Sequence, residues 1–276
     1  GRGILGVLGL AGLLSAGGVS PALAAAAPTG VDVRLSFKFI LNGDGNRPAT
    51  GEMNTDALLQ TQVARANEIL RDLASELRVH EVEIVDVPGI SQWANVDTTE
   101  RERDDLRDAA RANPGTYCWR DNAINLYISH NSGTYPAMSK FPPDNDIIVV
   151  CQQVWDTTIA HEVGHSLSLK HTHEFFGDDC SDTLADNENW TQDDIATHNF
   201  DGRHYNELTS GEQARVDLVW WNLMSYHNAD SRSKLCSCQM DRMSTQASND
   251  RDWLLTRRPV YVDAGYGGLW ESGTFH

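Results

Sequence analysis

His161-Glu162-Val163-Gly164-His165-Ser166-Leu167-Ser168-Leu169-Lys170-His171 is the stretch from which the rest of the chain is read. His161 and His165 stand four apart, so on a helix both imidazoles project from one face and can share one metal ion. Glu162 stands beside them, within reach of a water on that metal. His171 follows His165 by six residues, too far round for the same helical face. The chain must therefore turn sharply after about Leu167 to bring the third imidazole back. Three neutral nitrogen donors with an open fourth position describe a catalytic zinc site rather than a structural one. A surface helix carrying a chance His-Glu-x-x-His explains the first five residues and leaves the third histidine without a reason.

Just upstream, Ile147 to Cys151 is a continuous apolar run that suits a strand buried on both faces, and the zinc helix is expected from about Asp156. Ile124, Leu126 and Ile128 alternate as another strand. Val31, Val33, Leu35, Phe37 and Phe39 alternate with Asp32, Arg34, Ser36 and Lys38, the period of a half-buried strand. Val79 to Val87 reads as a further strand, closed by Pro88-Gly89. Leu59, Val63, Ala66, Leu70 and Leu73 recur at fours and threes, which predicts an amphipathic helix from about Asn54 to Leu73. The charges crowded between Thr98 and Ala112 suit a solvated helix laced with ion pairs. Asn42 to Asn46 is read as a turn, because the later acidic ligands of a calcium loop are missing. Beyond His171 the chain is poorer in strands. His173 to Thr209 shows little periodicity, and helices are expected at about Ser210–Trp221 and Thr245–Leu255.

With 276 residues the chain can bury a real core, and 40% hydrophobic against 22% charged residues is ordinary for a globular protein. Its 22 basic and 39 acidic residues give a formal charge of −17, which argues against nucleic-acid binding and against docking on anionic membrane. Arg2, the apolar run Ile4 to Leu14 and then Ala22-Leu23-Ala24 read as a secretory signal over residues 1–25. Residue 1 is Gly rather than Met, so that start is read as truncated. The expected compartment is extracellular, with no membrane contact after cleavage. Five cysteines, Cys118, Cys151, Cys180, Cys236 and Cys238, then imply disulfides with one thiol left over.

His161 to His171 resembles the zinc signature of the metzincin metallopeptidases, and Asn222-Leu223-Met224-Ser225-Tyr226 looks like their Met-turn. Gly177-Asp178-Asp179-Cys180-Ser181-Asp182-Thr183 and Gln239-Met240-Asp241-Arg242-Met243 resemble segments of the pappalysin branch. Together these cover about Asp156 to Met243. The resemblance implies an α+β fold, a two-lobed zincin with a twisted mixed sheet, the zinc helix and a loop-rich C-terminal lobe. One catalytic domain is expected over 31–276, its upper lobe about 31–171 and its lower lobe about 172–276. The implied activity is zinc-dependent endopeptidase action on proteins or peptides. Zinc would sit on His161, His165 and His171, with Glu162 as general base towards the water it activates. Met224 would lie beneath the metal as a hydrophobic base. Tyr226 would be an extra ligand or a hydroxyl donor to the oxyanion, unless it only packs a tight turn.

Rival readings are Glu174 or Glu188 as third ligand in place of His171, and a catalytically silent binding module, which the intact Glu162 opposes. The loop with Asp178, Asp179, Asp182, Asp186 and Glu188 reads either as a calcium site, as in that branch, or as a solvated loop. His173, His198, His204 and His227 are spare histidines. Cys180 is expected to pair with Cys236 or Cys238, and Cys118 with Cys151. Ser168 stands where the family carries Gly, at a helix end that usually needs positive φ, a conformation costing a side chain roughly 1–2 kcal/mol.

Overall fold

The computed structural model describes residues 29–51, 53–73, 77–131, 135–139, 141–142, 146–152, 154–249 and 255–259. The segment read as a secretory signal lies outside them. In chain order the elements are β1 (Thr29–Ile40), α1 (Asp56–Asp72), β2 (Leu77–Val87), α2 (Glu100–Ala112) and α3 (Pro114–Tyr117). They are followed by β3 (Ile124–Ile128), β4 (Ala137–Met138), β5 (Ile147–Val150) and α4 (Thr158–Ser166). After these come α5 (Gln192–Asn199), α6 (Ser210–Trp220), α7 (Ser237–Asn249) and β6 (Leu255–Pro259).

The strands form one mixed sheet in the order β2-β1-β3-β5-β4, with β6 also paired to β1. β1 runs parallel to β2 and β3, and β3 parallel to β5, while β4 and β6 are antiparallel to their neighbours. Alternation assigns the two faces. Val33, Leu35, Phe37 and Phe39 of β1, with Leu126, Ile128 and Ile148, meet Leu59 and Ile69 of α1 and Ile159 and Val163 of α4. Ile40, Tyr127, Ile147 and Val149 face the other way, onto Leu106 and Ala110 of α2 and Trp119. β1 is thus covered on both faces, which corrects the half-buried reading. Ser36 and Lys38, expected on a wet face, are fully buried. A bulge at Val82 places Glu83 opposite Ser36. The Lys38 ammonium donates to the Ser36 hydroxyl and carbonyl and lies 3.8 Å from the Glu83 carboxylate. Burial pulls its pKa down to about 7.

Helix starts follow their caps. Thr55 and Thr99 accept from Leu58 N and Glu102 N at the starts of α1 and α2, and Thr209 with Glu212 makes a capping box for α6. α5 was not expected, yet Thr191 and Asp194 form the same box. α7 begins at Ser237, not near Thr245, and Leu255 belongs to a strand rather than to its end. The Cys236 backbone N donates to Gln239 Oε1, and Gln239 N donates to Cys236 Sγ. A thiol here does the work of a capping hydroxyl. Arg103 is a second correction: within the charge-rich α2 it is buried, with Nη1 donating to Ser139 O at 2.6 Å.

The part after residue 171 does not stand apart from the sheet. Leu223, Met224, Leu235, Met243 and Ala247 join the core beneath α4, and β6 returns to β1. A smaller core of Leu184, Ile195, Phe200, Val216 and Val219 lies between α5 and α6. Cys180 pairs with Cys238 across a separation of 58 residues, for which the chain-entropy model gives about 4 kcal/mol. Cys118, Cys151 and Cys236 are free thiols, so the expected Cys118–Cys151 bridge is not formed. Cys118 precedes β3 and Cys151 follows the parallel β5, which puts the two towards opposite ends of the sheet. Asn42 to Asn46 is a turn, closed on Asn42 Oδ1 by the N–H groups of Asp44 and Asn46. Among the described residues no helix is long and apolar enough to cross a membrane.

Candidate metal centre

All nine residues of α4 are buried, so its ligands sit in the core rather than on a surface helix. The helix ends in a Schellman motif: Leu169 N donates to Gly164 O at 2.9 Å and Ser168 N to His165 O at 3.0 Å. Ser168 occupies the left-handed position, at φ 71°, as the sequence predicts. Its hydroxyl donates to Gln246 Oε1 of α7 at 3.1 Å, a partner on another element rather than a local backbone group. The turn also brings Leu169 O back under the helix, where it accepts from His165 Nδ1 at 2.7 Å. Ser168→Gly removes the strain and this one hydrogen bond together. Equilibrium unfolding should show a gain of no more than about 1 kcal/mol, with unchanged zinc affinity in a chelator competition. A tenfold or greater rise in affinity would mean that Ser168 distorts the site.

Beyond the turn, His171 comes back to the helix. Its Nε2 lies 2.9 Å from His165 Nε2, which lies 3.1 Å from His161 Nε2. Tetrahedral zinc with Zn–N bonds of about 2.0–2.1 Å needs its nitrogens about 3.3 Å apart, so a small outward adjustment fits the three to the ion. The tautomers agree. His161 Nδ1 donates to Leu223 O at 2.7 Å and His165 Nδ1 to Leu169 O, which leaves two Nε2 lone pairs facing each other. Such an arrangement calls for a cation between them. Burial holds the pKa of His165 down to about 4 and that of His171 to about 2, so the donors stay neutral. Glu174 lies 3.5 Å from His171 Nδ1, behind the ligand, and Glu188 lies 4.0 Å from His173. Neither takes the place of His171.

Glu162 is buried beside the cluster, and its Oε2 has no hydrogen-bond partner. Burial lifts its pKa to about 7, with Ser139 at its carboxylate and Arg232 nearby offsetting part of the effect. Ser139 is held there by Arg103. Under the helix, Met224 fills the space that Gly164 leaves open: a Cβ on Gly164 would come within 2.6 Å of Met224 Sδ. The turn Asn222–Ser225 therefore supports the ligand-bearing chain at three points: the Met224 sulfur lies against Gly164 between two ligands, Leu223 O accepts from the ligand His161, and Met224 O accepts from Thr172 N beside His171. Tyr226 packs edge-on to His171 at 4.7 Å between ring centres and lies 4.4 Å from His173, whose ring stacks on His171. Burial raises the pKa of Tyr226 to about 12, so its hydroxyl keeps its proton.

Two positions that the sequence reading missed or passed over complete the surroundings. Arg232 is buried, and its guanidinium donates to Ser225 O at 2.6 Å, to Thr157 Oγ1 at 2.9 and 3.1 Å and to Ala229 O at 3.3 Å. It ties the start of α4 to the turn that carries Tyr226. His173, read as spare, is a wall of the site. Nothing in the local sequence around Arg232 signals burial, whereas His173 stands only two residues beyond a ligand.

The carboxylates read as possible calcium ligands do not converge. Asp178 accepts from Cys180 N, Thr183 Oγ1 and Gln239 Nε2, and Asp179 pairs with Lys170 and Arg242. Asp182 Oδ2 accepts from Ser237 Oγ and Cys238 N at the start of α7. Asp186 accepts from Thr172 Oγ1 and from His227 Nε2. Among the described residues no three carboxylates form a metal cluster; His161, His165 and His171 do form one.

No family model matches the chain, and no curated protein matches it. Solved structures do. Mature mirolysin of Tannerella forsythia in complex with a cleaved peptide aligns with a TM-score of 0.53 at 14% identity, over 82% of this chain and 95% of that one. Mirolysin in complex with compound 9 aligns with a TM-score of 0.54 at 16% identity, over 81% and 96%. The likeness is one of fold: the chain has an α+β, metzincin-like zincin fold.

Proposed function

We propose that the protein is a secreted zinc-dependent endopeptidase of the pappalysin-like branch of metzincins. The convergence of three histidine Nε2 atoms, with the tautomers of His161 and His165 set by carbonyl oxygens, carries this reading. Zinc, when bound, supplies Lewis acidity to a peptide carbonyl and to water. Glu162 takes the water proton on its unpartnered Oε2 and passes it to the leaving amine. That free carboxylate oxygen also opposes a silent binding module. Tyr226, kept protonated, donates its hydroxyl to the oxyanion that forms on the substrate. Mirolysin, which shares the fold, was captured with a cleaved peptide. The disulfide and the apolar N-terminal run support export.

A mixed library of unstructured peptides tests this directly. Internal cleavage is expected with zinc present. Cleavage should cease with a chelator and return when zinc is restored. Cleavage indifferent to the chelator, or none by zinc-loaded protein, would overturn the proposal.

A further inference from the structure

The third cysteine at the disulfide has no place in the peptidase reading. Cys236 is buried and unpaired, two residues before Cys238. Cys180 Sγ lies within 4.8 Å of the Cys236 sulfur and is bonded to the Cys238 sulfur. One sulfur atom thus has two cysteine neighbours, of which it can bond one. Asp182 serves both alternatives. Its carboxylate meets the Cys236 thiol, while its Oδ2 accepts from the Cys238 backbone N and Ser237 Oγ. A carboxylate oxygen of Asp182 also lies within 4.8 Å of the sulfurs of Cys180 and Cys238.

We propose that Cys180, Cys236 and Cys238 form an intramolecular thiol–disulfide exchange site, with Asp182 as the proton carrier. Asp182 removes the proton from the Cys236 thiol, and the resulting thiolate attacks Cys180 Sγ. The Cys180–Cys236 bond forms as the Cys180–Cys238 bond breaks. Cys238 leaves as a thiolate and takes the proton from Asp182. One disulfide and one thiol are present before and after, so no external oxidant or reductant is needed. Cys236 is enclosed and Cys238 is partly exposed, so exchange moves the thiol from the interior to the surface. Burial raises the pKa of Cys236 to about 11, which makes the step slow at neutral pH.

The exchange also reaches the metal centre. Cys236 Sγ accepts from Gln239 N, and Gln239 in turn holds Asn222, whose Oδ1 accepts from Met224 N. Bonding Cys236 to Cys180 takes that sulfur from the start of α7 and loosens the chain of contacts under the zinc helix.

The oxidised full-length protein, without reductant, is incubated with iodoacetamide for hours at mildly alkaline pH, unfolded, blocked with a second alkylating agent and mapped without reduction. The expected result is growing carboxamidomethylation of Cys238, matched by a Cys180–Cys236 linked peptide and independent of protein concentration. Cys236→Ser should abolish both signals, and Asp182→Asn should slow them at least tenfold. An intact Cys180–Cys238 peptide throughout, with Cys236 labelled only after unfolding, would overturn the proposal. So would exchange that scales with protein concentration. None of these readings depends on peptidase activity.

Discussion

Glu162→Gln is expected to lower turnover by about 10²- to 10⁴-fold, the span of a well-placed general base, without changing the zinc content. The amide has nearly the shape of the carboxylate and cannot accept the water proton. The three ligand nitrogens and the carbonyls that fix the tautomers of His161 and His165 are left in place, so metal stoichiometry should be one per chain in parent and variant alike. Ser139 meets the carboxylate, its Oε2 is buried without a partner, and the amide is nearly the same size, so the substitution leaves no large hole. Metal analysis beside steady-state cleavage of one peptide separates the possibilities. A variant that keeps its zinc and cuts at the parental rate removes Glu162 from the mechanism. One that loses its metal shows the residue to be structural.

Arg232→Met should be the most destabilising single change outside the ligands, by about 3–5 kcal/mol in chemical denaturation. The side chain is only 2% exposed, and it fills acceptors on two separate pieces of chain: Thr157 at the start of α4, and Ser225 with Ala229 on the loop after the turn. Methionine restores much of the volume and none of the donors, leaving the carbonyls of Ser225 and Ala229 without this donor in the interior. Arg232→Lys keeps a charge but not the planar fork, and should recover only part of the loss. If the methionine variant unfolds at the parental denaturant concentration, the guanidinium is not holding the turn to the helix.

Much of this was legible because it is local. The alternation in β1, the apolar run of β5, the four-and-six spacing of the histidines and the strained place of Ser168 each depend on near neighbours in sequence. What escaped is set at long range. Nothing near Lys38 announces that Tyr127 and Glu83 cover its strand, and nothing near Arg103 announces Ser139. The cap of α7 hid in a Cys-x-x-Gln where a hydroxyl residue is looked for, and α5 was passed over despite its Thr191–Asp194 box. The acidic loop left two readings open, a calcium site or a solvated loop. Its carboxylates are engaged one by one, Asp182 at a helix start, Asp179 by Lys170 and Arg242, Asp178 by Thr183 and Gln239 and Asp186 by His227, and charge density alone does not announce such partners.

The small core between α5 and α6 is formed by residues that lie within the span closed by Cys180 and Cys238. None of them belongs to the main cluster beneath the zinc helix. The stretch that carries this core, Leu184 to Trp220, lies between the bridge at Cys180 and the turn that Leu223 and Met224 anchor in the main core, and it can open and reclose as a unit while the sheet stays folded. Its melting would cost the excursion's own contacts and not those of the whole chain. The two ends cannot drift apart while it is open, because the bridge keeps the re-entry point fixed. The stretch from Leu184 to Trp220 is thus built to tolerate transient local unfolding between its anchors, and proteolytic nicking there would leave the pieces joined.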